Sequence, residues 1–126
     1  GTGEPQKAVM KLEVLGDVKE ATESGDGPVD AIFKCIKKLY PHEVNLQLYN
    51  VHAVTEGTDA QATVSVRIEE NGKTTVGQAA NTDTLVASAD AYLNALNKLI
   101  IKRKKTAPEP MDLSGSKYIR EKDGTI

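Results

Sequence analysis

Gly25-Asp26-Gly27-Pro28-Val29-Asp30-Ala31 joins an extended, polar segment to an apolar-faced helix. Gly25 and Gly27 lack a Cβ, so the backbone there can turn sharply and approach another group closely. Asp26 or Gly27 suits the N-cap, and Pro28 suits the first helical turn. The helix is expected over Pro28–Tyr40, with Val29, Ile32, Phe33, Ile36 and Leu39 on one face. Lys34, Lys37 and Lys38 form its solvated side, and Pro41 stops it. Backbone N–H groups at such a bend lie beside the positive end of the helix dipole, where a carboxylate is welcome. A well-made helix start explains the same residues without any ligand.

Upstream, Ala8–Leu15 alternates Ala8, Met10, Leu12 and Val14 and reads as a half-buried strand. Gly16-Asp17 is a hairpin signal, and Val18–Ser24 a second strand leading into the glycine loop. Downstream, Val44–Thr55 alternates and then changes phase near Tyr49-Asn50-Val51, which predicts a bulge. Ala60–Glu69 and Lys73–Ala80 are strands joined by Asn71-Gly72, a strong two-residue hairpin signal. Asn81-Thr82-Asp83-Thr84 caps a second helix running to about Lys102. Its apolar stripe, Leu85, Val86, Ala89, Tyr92, Leu93, Leu96, Leu99 and Ile100, is wide enough to lie deep or to face a second chain.

The chain of 126 residues is 39% hydrophobic and 27% charged, which suits one domain with an aliphatic core. A net charge of -2 argues against a general polyanion binder. Cys35 is the only cysteine, so no internal disulfide forms; among apolar helix positions it reads as a small core residue, compatible with a reducing compartment. No apolar run approaches the roughly 20 residues that span a membrane, and no signal peptide is visible. His42 and His52 lack metal-ligand spacing, so neither metal nor cofactor is expected.

The chain also repeats itself. With Asp26 set on Asp83, Val29 meets Val86, Ile36 meets Leu93, and Leu39 meets Leu96. One inserted residue upstream, Gly16 meets Gly72 and Lys11-Leu12-Glu13 meets Arg67-Ile68-Glu69. The expected fold is therefore α+β: two strand-strand-(strand)-helix units, antiparallel sheets packed with two helices; that it is dimer-forming is what the resemblance below implies. The second unit has three strands and the first shows two. The expected layout is a flexible 1–7, a domain over 8–103 (unit one 8–43, unit two 44–103) and a mobile tail over 104–126. Tandem duplicates tend to pack about a local twofold axis, which would bring both capped loops near the middle.

Gly25–Ala31, then Tyr49-Asn50-Val51-His52-Ala53, Gly57-Thr58-Asp59-Ala60, Asn81-Thr82-Asp83, Val86-Ala87-Ser88-Ala89 and Ala91–Leu96 occur in that order. Together they resemble the C-terminal regulatory domain of the α-isopropylmalate synthase and citramalate synthase family over roughly residues 8–101. The resemblance implies a cytoplasmic homodimer that binds leucine or isoleucine. It also implies a separate N-terminal catalytic barrel that condenses acetyl-CoA with a 2-oxo acid. This chain alone is then a regulatory part of an acyltransferase and not a catalyst.

The resemblance carries an effector site over by position. Gly25 and Gly27 match glycines whose backbone meets the effector carboxylate, and Val29 an apolar first-turn contact. Leu46, Tyr49 and Ala53 match pocket-lining strand positions, while Ala60 and Ala62 match small residues that leave room for a branched chain. Ala80 and Thr82 match the place where the second unit closes the pocket. Asp26 or Asp30 is offered as the ammonium acceptor. Burying a four-carbon side chain gives roughly 2–3 kcal/mol, which selects branched apolar chains without separating leucine from isoleucine.

Two rival readings compete. Helix, three strands and helix match the order of a double-stranded-RNA-binding domain, although the start of the last helix lacks the lysines that meet phosphate. A small hydrolase built on Asp26, Asp30, Asp59 and His52 lacks a nucleophile motif.

Overall fold

A computed structural model describes residues 6–54, 60–105 and 118–122. The elements are β1 (Gln6–Val14), β2 (Asp17–Gly25), α1 (Pro28–Leu39), β3 (Asn45–Val54), β4 (Gln61–Glu70), β5 (Lys73–Asn81), α2 (Thr84–Lys105) and β6 (Ile119–Glu121). They make an α+β fold of two antiparallel three-stranded sheets, ordered β2-β1-β6 and β3-β4-β5, with two helices. Among the described residues, 6–42 with 119–122 form one compact unit, and 43–54 with 60–105 and 118 the other.

In the first unit α1 packs on β1 and β2. Met10, Leu12, Val14 and Ala21 from the strands and Ala31, Ile32, Cys35, Ile36 and Leu39 from the helix are buried. Period-two burial in the strands and helical spacing in α1 put these side chains in one layer. The Cys35 thiol donates to the Ala8 carbonyl at 3.3 Å, and burial pushes its pKa up, as suits a core residue. The rival αβββα RNA-binding arrangement fails here, because α1 belongs with β1 and β2 rather than with β3–β5.

The second unit repeats the plan. Val64, Val66 and Ile68 of β4 and Thr75 of β5 are buried, and α2 packs on both strands. The Thr75 hydroxyl donates to the Ala95 carbonyl at 2.8 Å. Gly77 lies under Ala91 and Ala95, where any Cβ would strike helix backbone. Ala87, Ala91 and Ala95 are fully buried, so a seam of small residues lets the helix sit low on the strand. Desolvation pushes the pKa of Tyr92 up to about 12.

The two hairpin turns have matching backbone angles, as the repeat requires. Leu15-Gly16 has φ of 51° and 92°, and Asn71-Gly72 has 51° and 81°. Both φ positive at the two central residues is the type I′ pattern. The first turn is thus Leu15-Gly16 and not Gly16-Asp17, because Val14 pairs with Asp17.

Two further expectations are corrected. The β3 bulge lies between Leu46 and Leu48, not near Tyr49–Val51. Gln47 is the extra residue, so Leu48 turns to the face away from α2, while Tyr49 lines up with buried Val66. The tail is not wholly a tail: Ile119–Glu121 forms β6, antiparallel to β1, with Ile119 fully buried. Just before it, the Tyr118 amide donates to Asn97 of α2 at 2.9 Å. Residues 106–117 and 123–126 of that expected tail, and 1–5 of the expected lead-in, lie outside the described residues, whereas Gln6 and Lys7 begin β1.

Candidate functional site

The glycine loop closes β2 onto α1. A Cβ on Gly25 would stand 2.5 Å from the Ala31 nitrogen and 2.6 Å from the Asp30 Oδ2, so this glycine serves the close approach of strand and helix. Gly27 is the N-cap of α1, with φ −151°, and a Cβ there meets nothing within 4 Å. No side chain caps this helix. Asp26 therefore does not do what its repeat partner does: the Asp83 Oδ1 accepts the Leu85 amide at 2.8 Å and caps α2.

Asp30 reaches back instead. Its Oδ2 accepts the Asp26 amide at 2.9 Å and pairs with Lys34 at 3.1 Å. The Asp26 amide, first, and Lys34, second, hold the Asp30 carboxyl below the usual carboxylate range. Of the two carboxylates offered above as ammonium acceptors, that of Asp30 is thus engaged by the Asp26 backbone amide and by Lys34. The amides of Val29 and Asp30, in the first turn, receive no cap from a side chain. Val29 is half-buried on that turn.

The other expected residues belong to the second unit. Register puts Leu46, Tyr49, Val51 and Ala53 on the face of β3 that carries Ile68, Val66, Val64 and Ala62 of β4, the face on which α2 packs. The Tyr49 hydroxyl lies 2.6 Å from the Ser88 hydroxyl, and Ser88 donates to the Thr84 carbonyl at 2.7 Å. Beyond Tyr49 the helix does not cover β3: Leu46 is 47% exposed and Val51 42%. Ala53, Ala62 and Asn81 form one row across the three strands. Ala60 is exposed just before β4.

Two expected residues fall elsewhere. Ala80 pairs with Thr63 and points to the opposite face from Ala62. Thr82 is exposed after β5, beside Asn81, whose Oδ1 accepts the Asp83 amide at 2.9 Å. Sequence reading missed Val51 and Asn81 on this face. The Gln47 bulge hid Val51, and the role of Asn81 as a capping residue masked its place in the row.

The hydrolase reading loses its cluster. His52 is exposed and its Nε2 meets the Asn50 amide at 2.9 Å, Asp30 is paired with Lys34, and Asp59 lies outside the described residues. Among the described residues no group of three or more His, Cys, Asp or Glu side chains is placed to hold a metal ion. No helix of the described residues is long and apolar enough to cross a membrane.

Comparison with known proteins matches residues 1–100 to the LeuA allosteric (dimerisation) domain. The chain is 60% identical over 105 residues to a 2-isopropylmalate synthase of Bradyrhizobium diazoefficiens, covering 83% of this chain and 20% of that protein. A 2-isopropylmalate synthase of a Caulobacter species is 58% identical over 110 residues, 87% of this chain and 21% of the relative. One of Nitrobacter winogradskyi is 56% identical over 108 residues, 86% and 21%. The chain spans about a fifth of the length of these relatives. With the repeated units, the glycine loop and the matched stretch all in agreement, the chain belongs to the LeuA allosteric (dimerisation) domain family.

Proposed function

We propose that this chain is the effector-sensing part of a 2-isopropylmalate synthase, that it works as a homodimer, and that its effector is leucine. The names of the relatives favour the isopropylmalate branch over citramalate synthase, and with it leucine over isoleucine as end product. The observation that carries the reading is the N-terminus of α1, where an N-cap without a side chain leaves first-turn amides uncapped. A carboxylate is the natural partner of such amides. Within the second unit, the half-covered strip of Leu46, Tyr49, Val51 and Ala53 with Ala62 is by itself an apolar surface of the kind a branched side chain needs. Ala60, just before β4, keeps the supporting position the resemblance gives it, whereas Ala80 and Thr82 lie off this face and are left out.

Feedback follows by linkage. An effector that binds one arrangement of the dimer better shifts the population toward it, and a catalytic barrel coupled to that arrangement loses activity. Calorimetric titration of leucine, isoleucine and valine into the chain tests the reading. Leucine is expected to bind below the millimolar range and more tightly than isoleucine. Absence of binding by all three overturns it, and tighter binding of isoleucine overturns the choice of effector.

A further inference from the structure

Lys11, Lys34, Lys38 and Lys122 each meet a carboxylate. Lys98 and Lys102 do not. One turn apart on α2, they reach over the edge of the second sheet and donate to the Val76 and Thr74 carbonyls of β5, each at 2.7 Å. Asn94 does the same at the Gln78 carbonyl, at 2.9 Å. The Glu70 carboxylate is taken by Arg103. Among the described residues neither ammonium is ion-paired. Each has three N–H donors, and its carbonyl uses one of them.

β5 is an edge strand of the β3-β4-β5 sheet. A residue of an antiparallel strand turns its N–H and C=O to the same side, so the Thr74 and Val76 amides point outward beside the carbonyls that the lysines hold. At these positions the edge is left with donors and its acceptors are taken. A further strand needs both in alternation, so this edge refuses one. A carboxylate, which only accepts, meets nothing but donors here.

The donors come as two sets with matching spacing. Lys98 and Lys102 are four residues apart, about 6 Å along the helix. Thr74 and Val76 are two apart, about 7 Å along the strand. A groove of about 360 Å³ runs here, lined by Thr74, Thr75, Val76, Lys98, Ile101 and Lys102. Val76, 42% exposed, and Ile101 give it an apolar wall. The negative end of the α2 dipole disfavours an anion, and the run Lys102-Arg103-Lys104-Lys105 offsets it.

We propose that this groove is a binding site for a small dicarboxylate. One carboxylate takes Lys98 and the Val76 amide, the other takes Lys102 and the Thr74 amide, and the hydrocarbon between them lies on Val76 and Ile101. The spacing calls for a linker of about four methylenes, a little under two residues' worth of extended chain. The site lies on the β5 side of the sheet, away from the β3 strip. It owes nothing to leucine: a chain that fails to bind leucine leaves this site standing.

The test titrates adipate into the full chain at low ionic strength, by calorimetry and by backbone amide resonances, with succinate, hexanoate and inorganic phosphate as comparisons. Adipate should bind in the millimolar range or below and shift the Thr74 and Val76 amides. Hexanoate, with one carboxylate, should bind about tenfold more weakly, the loss of one charge-assisted contact. Succinate, too short to reach both lysines, should also bind more weakly. Lys98→Gln and Lys102→Gln keep an N–H for the carbonyl but lose the charge, and each should weaken adipate about tenfold with the circular dichroism unchanged. Lys98→Arg should retain binding, and about 1 M sodium chloride should abolish it. No adipate binding, equal affinity for hexanoate or phosphate, shifts that miss Thr74 and Val76, or unchanged affinity in the glutamine variants overturns the proposal.

Discussion

Gly25→Ala and Gly27→Ala should differ sharply although the two glycines stand two residues apart. At Gly25 the new methyl group would lie 2.5 Å from the Ala31 nitrogen and 2.9 Å from the Ala31 Cα, atoms of helix backbone that cannot rotate away. The end of β2 must part from α1, and overpacking of this kind costs about 2–3 kcal/mol. At Gly27 the methyl group meets nothing within 4 Å, and φ of −151° suits any residue. Lower unfolded-state entropy then roughly balances the N-cap preference for glycine over alanine, for a net change within about 0.5 kcal/mol. Urea unfolding followed by circular dichroism, with amide exchange in β1 and β2 as the local readout, measures both. Gly27→Asp extends the comparison. Aspartate is a favoured N-cap, so stability should hold, yet its carboxylate takes the amides proposed for leucine, and calorimetry should show binding lost. A Gly25→Ala chain within 0.5 kcal/mol of the parent, or a Gly27→Ala chain equally damaged, refutes the reasoning.

Leu15 stands at φ 51° with 67% of its surface exposed, in the place its repeat partner fills with Asn71. Leu15→Asn should therefore raise stability by about 0.5–1 kcal/mol, read from the urea midpoint. Lys98→Ala with Lys102→Ala bares two β5 carbonyls; light scattering should show concentration-dependent association beyond the parent's own dimer, with stability changed by under about 1 kcal/mol. Arg120 first, and Lys122 second, hold the Glu13 carboxyl below its ordinary value of 4.5. A depressed carboxylate stabilises above its unfolded pKa and loses that contribution as pH falls through the folded one. β6 should accordingly loosen below about pH 4.5, seen as faster exchange at Arg120, and high salt should loosen it at neutral pH.

Much of the fold was legible because the periodic signals were local. Met10, Leu12 and Val14 alternate, and Ile32, Ile36 and Leu39 recur at helical spacing; both patterns became buried layers. The repeat was legible because Asn71-Gly72 and Gly16 mark equivalent turns. Three features were not. The Leu15 turn hides because leucine gives no turn signal. The Gln47 bulge shifts phase inside a run where Leu46 and Leu48 look alike, so Val51 was missed. β6 pairs with a strand more than a hundred residues earlier, and three residues carry too little pattern to announce it. At the glycine loop Gly27 is the N-cap and Pro28 opens the helix, as read; the close approach of Ala31 that needs Gly25, and the bond by which Asp30 rather than Asp26 holds the turn, leave no local mark in the sequence.

Leucine titrated into the isotope-labelled chain, followed by backbone amide resonances, tests the central claim most directly. Saturating shifts of Gly27, Val29 and Asp30 are the predicted result. Binding that leaves residues 25–30 unmoved, or no binding at all, contradicts it.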